Sequence, residues 1–430
     1  MAQSSTQNGK VVLRGLEDVV AAETSISYVD GVHGRLYYQG YEISDIAEVM
    51  PFHEAVFLLW YGRLPSLAER ERFRSEIVAE MRLPSQVVEM LKLTPPSSHP
   101  MAVLRTAVSM LANFDPDVDD ISVEANWRKA KRLVAQIPTI IADLHRIRHG
   151  KPPMSPDPKL GISANFLYML RGTVPDELEQ KAINLLMMLL ADHGLNASTF
   201  TARVIASTLS DMHAALAGAI GALKGPLHGG ANQRVMEMLL DIPNVETVRD
   251  YINGMLANGQ RIMGFGHRVY RTEDPRTPHL RKYSEILCER KNEKHLYEIS
   301  HQIEGAVMEA KGIYPNVDFY LATVEYALGI PPEYFTAVFA AARTAGWIAH
   351  IMEQYADNRL IRPTSKYIGE MGLPYVPAEL RPEELLSKRS VICGRSLRRR
   401  LEPRRRPRAS PLARALLNIC QTENMAPPHP

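Results

Sequence analysis

The chain predicts an all-α protein with one small N-terminal β-hairpin, and three observations carry that expectation. Segments with apolar residues at helical spacing follow one another from Ile43 onward. Pro or Gly separates them with short connections, which places neighbouring helices side by side. Only Ser25–Asp30 and Arg35–Gln39, around the turn Gly31-Val-His-Gly34, read as paired strands. At 430 residues the chain can bury a large core, and 45% hydrophobic with 23% charged residues is ordinary for a globular protein.

The helices expected first are His53–Tyr61, Leu67–Met81, Pro84–Leu93, Met101–Asn113 and Val123–His149, the last kinked at Pro138. Asp176–Ala191, Ala197–Ser210, Met212–Leu223, Ala231–Leu240 and Val245–Asn258 follow. Pro278–Cys288, Lys294–Lys311, Phe319–Leu328 and Phe335–Tyr355 complete the series. No solenoid-type repeat is present, and no apolar run approaches the roughly 18 residues of a membrane span. Residues 1–12 read as a polar leader without an apolar signal core, so a cytoplasmic protein is expected. Cys288, Cys393 and Cys420 are widely spaced, match no metal pattern and read as reduced thiols.

Charge is unevenly placed. Residues 388–414 hold eleven Lys or Arg against one acid, Glu402, leaving 39 basic and 47 acidic residues for the rest. The body is therefore mildly acidic, and residues 379–430 read as a basic tail too poor in apolar side chains to order itself. Nonspecific nucleic-acid binding is its functional reading; a solvated extension is the simpler one and is preferred.

Four places concentrate chemistry. In Gly264-Phe-Gly-His-Arg-Val-Tyr-Arg-Thr-Glu-Asp-Pro-Arg276, two glycines permit close backbone approach to a ligand, and an imidazole precedes three arginines. Pro275 is expected to push Asp274 out of helical geometry and expose the turn. His193, His228 and His267 each adjoin a glycine at a helix boundary, where a tight turn can aim the ring out of a helix end. Zinc is disfavoured because no His-x-x-x-His pair or Cys partner accompanies them. Asp318 follows Pro315-Asn316, where it could cap a helix or, flanked by Val317 and Phe319, carry a raised pKa suited to a base. Arg343 lies inside the apolar stretch Ala340–Trp347, an expensive place for an unpaired charge, and Arg362 follows the same helix. With Arg276 these offer forked donors for carboxylates, or structural ion pairs.

These stretches resemble the citrate synthase family, including its 2-methylcitrate synthase branch, from about Leu13 to Val376. Gly-Pro-Leu-His-Gly-Gly-Ala-Asn, Gly-Phe-Gly-His-Arg-Val-Tyr, Asp-Pro-Arg, Tyr-Pro-Asn-Val-Asp-Phe-Tyr and Arg-Pro-Thr-Ser occur in the family's order. The resemblance implies a two-domain helical homodimer: a large domain of residues 13–223 and 331–378, and a small domain of 224–330 that closes over substrate. It implies condensation of oxaloacetate with acetyl-CoA, or alternatively propionyl-CoA, as co-substrate, with no permanently bound cofactor and no membrane partner. By the same resemblance Asp318 is the base, His228 donates to the thioester oxygen and His267 polarises the ketone. His193, Arg276 and Arg343 would bind oxaloacetate, and Arg362 would reach the partner subunit's site. Arg261, Ile262, Met263, Gly264, Phe265, Gly266 and Arg271 would meet CoA. Leu321 stands where many members carry Ser or Ala, and it either reshapes the acyl pocket or packs in the core. A non-catalytic relative that binds nucleic acid through the tail is the remote alternative.

Overall fold

This computed structural model describes residues 6–7, 10–17 and 19–380. Leu13–Pro363 form one compact unit; described residues before 13 and after 363 belong to another. That second unit contains strand β1 (Thr6–Gln7) antiparallel to β2 (Lys10–Val11), within the expected leader, and a 3-10 turn at Ala378–Leu380. The basic run, with Cys393 and Cys420, lies outside the described residues.

The main unit opens with the expected hairpin. Strand β3 (Ser27–Asp30) pairs antiparallel with β4 (Arg35–Tyr38), Ser27 opposite Tyr38 and Asp30 opposite Arg35. Asp30 closes the turn by accepting the Val32 and His33 N–H groups at 3.1 and 3.0 Å. A short third strand, β5 (Tyr41–Glu42), joins β4. It was not anticipated: two residues are too few to show alternation.

The helices are α1 (Ile43–Ile46), α2 (Phe52–Tyr61), α3 (Leu67–Ala79), α4 (Ser85–Leu93), α5 (Pro100–Leu111) and α6 (Val123–Arg148). Then come α7 (Ile162–Arg171), α8 (Glu177–Leu190), α9 (Ala197–Ala206), α10 (Met212–Leu223) and α11 (Ala231–Asp241). The series ends with α12 (Val248–Ala257), α13 (Thr277–Arg290), α14 (Lys294–Lys311), α15 (Val317–Ala327) and α16 (Phe335–Ala356). Helix α6 runs as one helix across Pro138. Helix α7 was not among the expected helices; eight of its ten residues are buried. Its Asn165 is satisfied locally, accepting from Asp157 N–H at 2.7 Å and donating to Asp157 O at 2.9 Å.

Capping explains where several helices start. Asp176 and Ser66 form capping boxes with Glu179 and Glu69, and Asn196 accepts the Ser198 and Thr199 N–H groups. At the centre, α16 packs on α2, α6, α8, α9 and α10. Its Trp347 is fully buried. Helix α15 packs on α11, α13 and α14. Among the described residues no helix is long and apolar enough to cross a membrane.

Candidate active site

The site begins at the end of α8. Tyr38 of the hairpin reaches across, its hydroxyl 3.0 Å from Asp192 O and accepting the Asp192 N–H at 3.1 Å. Asp192 is fully buried, takes a hydrogen bond from Ser27 Oγ and accepts the Gly194 N–H at 3.0 Å. The next residue, His193, is thereby held between two anchored neighbours. Helix α16 approaches so closely that Gly346 N–H donates to Ala191 O at 3.0 Å, and a Cβ there would lie 2.2 Å from Asp192 Oδ1. Gly346→Ala is accordingly expected to destabilise the fold by about 1–3 kcal/mol through overpacking. An unshifted denaturant midpoint would refute this contact.

His193, His267 and Tyr270 form one cluster. The His193 and His267 rings lie 5.3 Å apart edge to face, and Tyr270 Oη sits 3.1 Å from His193 Nε2. His267 Nδ1 accepts both the Val269 and Tyr270 N–H groups at 3.0 Å. Its ring is therefore neutral with the proton on Nε2, which is free to donate. His228 has the opposite tautomer. Its Nε2 accepts the Ser198 N–H at 3.2 Å and lies 2.8 Å from Ser198 Oγ, leaving Nδ1–H as the donor. Ser198 is itself fixed by Trp347 Nε1 at 3.1 Å. Burial lowers His228 and His267 to about 4, and lowers His193 well below its ordinary value; the arginine charges nearby add to each effect.

The loop after α12 is stitched to the turn before α15. Gly266 N–H donates to Tyr314 O at 3.0 Å, Asn316 N–H to Gly264 O at 2.8 Å, and Asn316 Nδ2 to Gly266 O at 3.0 Å. Gly264, at φ 81°, is required for a different reason than expected: a Cβ there would meet Phe319 and Val235, not a ligand. Asp318 is not the helix cap. Asn316 holds that position and accepts the Asp318 N–H at 3.1 Å. Among the described residues the Asp318 carboxylate accepts no hydrogen bond. Burial raises it to about 6 despite the opposing charges of Arg276 and Arg343.

The Asp-Pro-Arg turn reverses the exposure expected of it. Asp274 and Arg276 are buried, with Nε to Oδ1 at 2.9 Å and Nη2 to Oδ2 at 2.7 Å. The local effect of Pro275 is on backbone angle; burial is decided by this neutralising pair. Arg343 is buried without such help. Its Nε donates to Leu190 O at 2.6 Å and its guanidinium covers the Phe339 ring at 4.9 Å, but no carboxylate pairs with it among the described residues. Desolvation lowers it to about 10.

Ile262, Gly264 and Phe265 are buried, Met263 and Gly266 are half-buried, and Arg261, Arg271 and Arg362 are exposed. Sequence reading missed Ser198, Asp192 and Ser27, whose partners lie 30 to 165 residues away. Tyr270, three residues after His267 in the same loop, packs its ring 4.6 Å from the imidazole. Among the described residues no group of three His, Cys, Asp or Glu could hold a metal ion.

A helical fold with an unshared, raised-pKa carboxylate, two neutral imidazoles of opposite tautomer and an unpaired buried cation defines a class. It is an enzyme of carbon-acid chemistry on an anionic substrate. Comparison with known proteins narrows the class. Residues 15–364 match the family described as citrate synthase, C-terminal domain. Citrate synthase 2 of Bacillus subtilis is 47% identical over 86% of this chain and 99% of its own, and the citrate/2-methylcitrate synthase of that organism is 41% identical over 83% and 96%. A citrate synthase of Thermoplasma acidophilum, solved in ternary complex with carboxymethyl coenzyme A and oxaloacetate, superposes with TM-score 0.81 at 33% identity over 85% and 98%. The chain belongs to the citrate synthase family.

Proposed function

We propose that the protein condenses acetyl-CoA with oxaloacetate and releases citrate and CoA. The observation that carries this reading is the Asp318 carboxylate, raised by burial and accepting no hydrogen bond among the described residues, in a chain whose His228 and His267 are neutral rings each with an N–H left to donate. Asp318 removes the α-proton of the thioester while His228 Nδ1–H donates to the thioester oxygen, so the weak carbon acid ionises without building full negative charge. The nucleophilic carbon attacks the oxaloacetate ketone, which His267 Nε2–H polarises and then protonates. Hydrolysis of the resulting thioester frees CoA. Arg343, the spare Nη1 protons of Arg276, and His193 hold oxaloacetate.

The reading extends to assembly. Residues 224–330 form the domain that closes over substrate and excludes water, Arg261 to Gly266 with Arg271 meet CoA, and Arg362 reaches the partner subunit's site in a homodimer. The protein is cytoplasmic and needs no permanently bound cofactor. The exposure of Arg261, Arg271 and Arg362 supports these roles.

CoA-thiol release by the purified chain, with oxaloacetate plus acetyl-CoA or propionyl-CoA, tests the proposal. Higher kcat/KM with acetyl-CoA is expected, and equal or higher efficiency with propionyl-CoA would favour 2-methylcitrate synthesis. Leu321, on α15 one turn beyond Asp318, is fully buried. Leu321→Ser is expected to shift the acetyl-to-propionyl ratio by about tenfold or more, the lower end of what one methylene is worth in a pocket. An unchanged ratio would leave Leu321 a packing residue.

The pH profile follows from Asp318. It works only when ionised, and its pKa is raised to about 6 while His228 and His267 stay neutral above about 4. Below pH 6, kcat/KM should therefore fall about tenfold per pH unit. Activity that stays level down to pH 4.5 would rule Asp318 out as the base.

A further inference from the structure

Glu325 lies on α15 seven residues beyond Asp318, two turns along the same helix face. It is fully buried. Its Oε2 accepts Asn232 Nδ2–H at 3.0 Å, and its Oε1 has no partner among the described residues. Burial holds the carboxyl well above the ordinary carboxylate range, against the Asn232 hydrogen bond and with the Asp318 charge reinforcing it. Burial thus favours the neutral acid over the carboxylate at this position. Asn232 is also buried, is the second residue of α11, and stands four residues after His228; its Oδ1 accepts the Gln233 N–H at 2.9 Å. Helices α11 and α15 pack together. A leucine would fill the same space at less cost, since a half-satisfied buried carboxyl is expensive. None of the chemistry assigned above uses Glu325.

We propose that Glu325 is a positioning residue, whose hydrogen bond to Asn232 fixes α11 against α15 and so sets His228 relative to Asp318. The inference rests on the condensing function proposed above. Asp318 and His228 act on one acetyl group in the same step, so their separation governs the rate more than either group's affinity for ligand. Displacement of reacting groups by about 1 Å costs about 10²-fold in rate. The neutral form suits the task, because a carboxylate there would add a second negative charge along the helix from Asp318.

Steady-state CoA-release kinetics on the full chain test the proposal. Glu325→Leu is expected to lower kcat by about 10- to 100-fold, with KM for oxaloacetate changed by less than about threefold, since the oxaloacetate donors lie elsewhere. Glu325→Gln keeps an acceptor for Asn232 and adds no charge, so kcat within about threefold of wild type is expected. Asn232→Ala severs the same link from the other side and serves if Glu325→Leu does not fold; combined in one chain, the two should lower kcat no further than either alone. Wild-type kcat in whichever severing variant folds, a Gln variant as slow as the severing variants, or additive losses in the double variant would overturn the positioning role. A wild-type chain releasing no CoA would instead overturn the condensing function, and this inference with it.

Discussion

Asp318→Asn is expected to lower kcat by about 10³-fold while leaving KM for oxaloacetate near its wild-type value. The carboxylate accepts no hydrogen bond from any described residue, so the amide removes basicity without breaking a structural link. The same substitution should stabilise the unliganded protein. Burial raises the Asp318 carboxyl from 3.8 to about 6 in the folded chain. A raised carboxylate pKa means the folded state favours the protonated form, so ionisation opposes folding at every pH above about 6. That cost is at most about 3 kcal/mol, shrinks as pH falls from 6 towards 4, and is absent from an asparagine. Denaturant unfolding at pH 8 and pH 4 should therefore show a stabilised variant at the higher pH and near equality at the lower. Loss of activity with equal loss of stability at pH 8 would mark Asp318 as a structural residue.

How much of this was legible in the sequence depends on the range of the interaction. Most helices were readable to within a few residues from apolar spacing broken by Pro or Gly, whereas the short α7, eight of its ten residues buried, was not. His193 and His267 stand directly beside glycines at positive φ, Gly194 and Gly266, and His228 lies two residues before a third, Gly230. This local requirement is visible in the chain itself. What holds the rings is not local. Ser198 sets the tautomer of His228 across 30 residues, and Ser27 and Tyr38 brace the residue before His193 across more than 150. Nothing in the composition of either segment announces such pairings. Asp274 shows the limit of a local rule: proline governs its backbone, but Arg276 two residues on supplies the charge that lets it be buried.

Arg343→Met should separate binding from stability still more sharply. A buried guanidinium with one backbone acceptor and one aromatic face, and no carboxylate, is left by the fold in a state that an anionic ligand would complete. Removing one partner of a buried charged hydrogen bond to a ligand costs about 2–5 kcal/mol, so Kd for oxaloacetate should rise about 10²- to 10³-fold. For the unliganded fold the terms oppose one another. Leu190 O loses its donor, which costs about 1–3 kcal/mol, while removal of a desolvated charge returns about 1–4 kcal/mol. The unliganded Tm should therefore hold or rise. Thermal unfolding with and without oxaloacetate resolves the two effects. At a ligand concentration of about 100 times the wild-type Kd, wild type gains about 2.7 kcal/mol, whereas a variant binding 10²-fold more weakly gains only about 0.4 kcal/mol. A variant with lowered unliganded Tm and an intact oxaloacetate shift would show instead that Arg343 serves the fold, and oxaloacetate would then need another counter-charge.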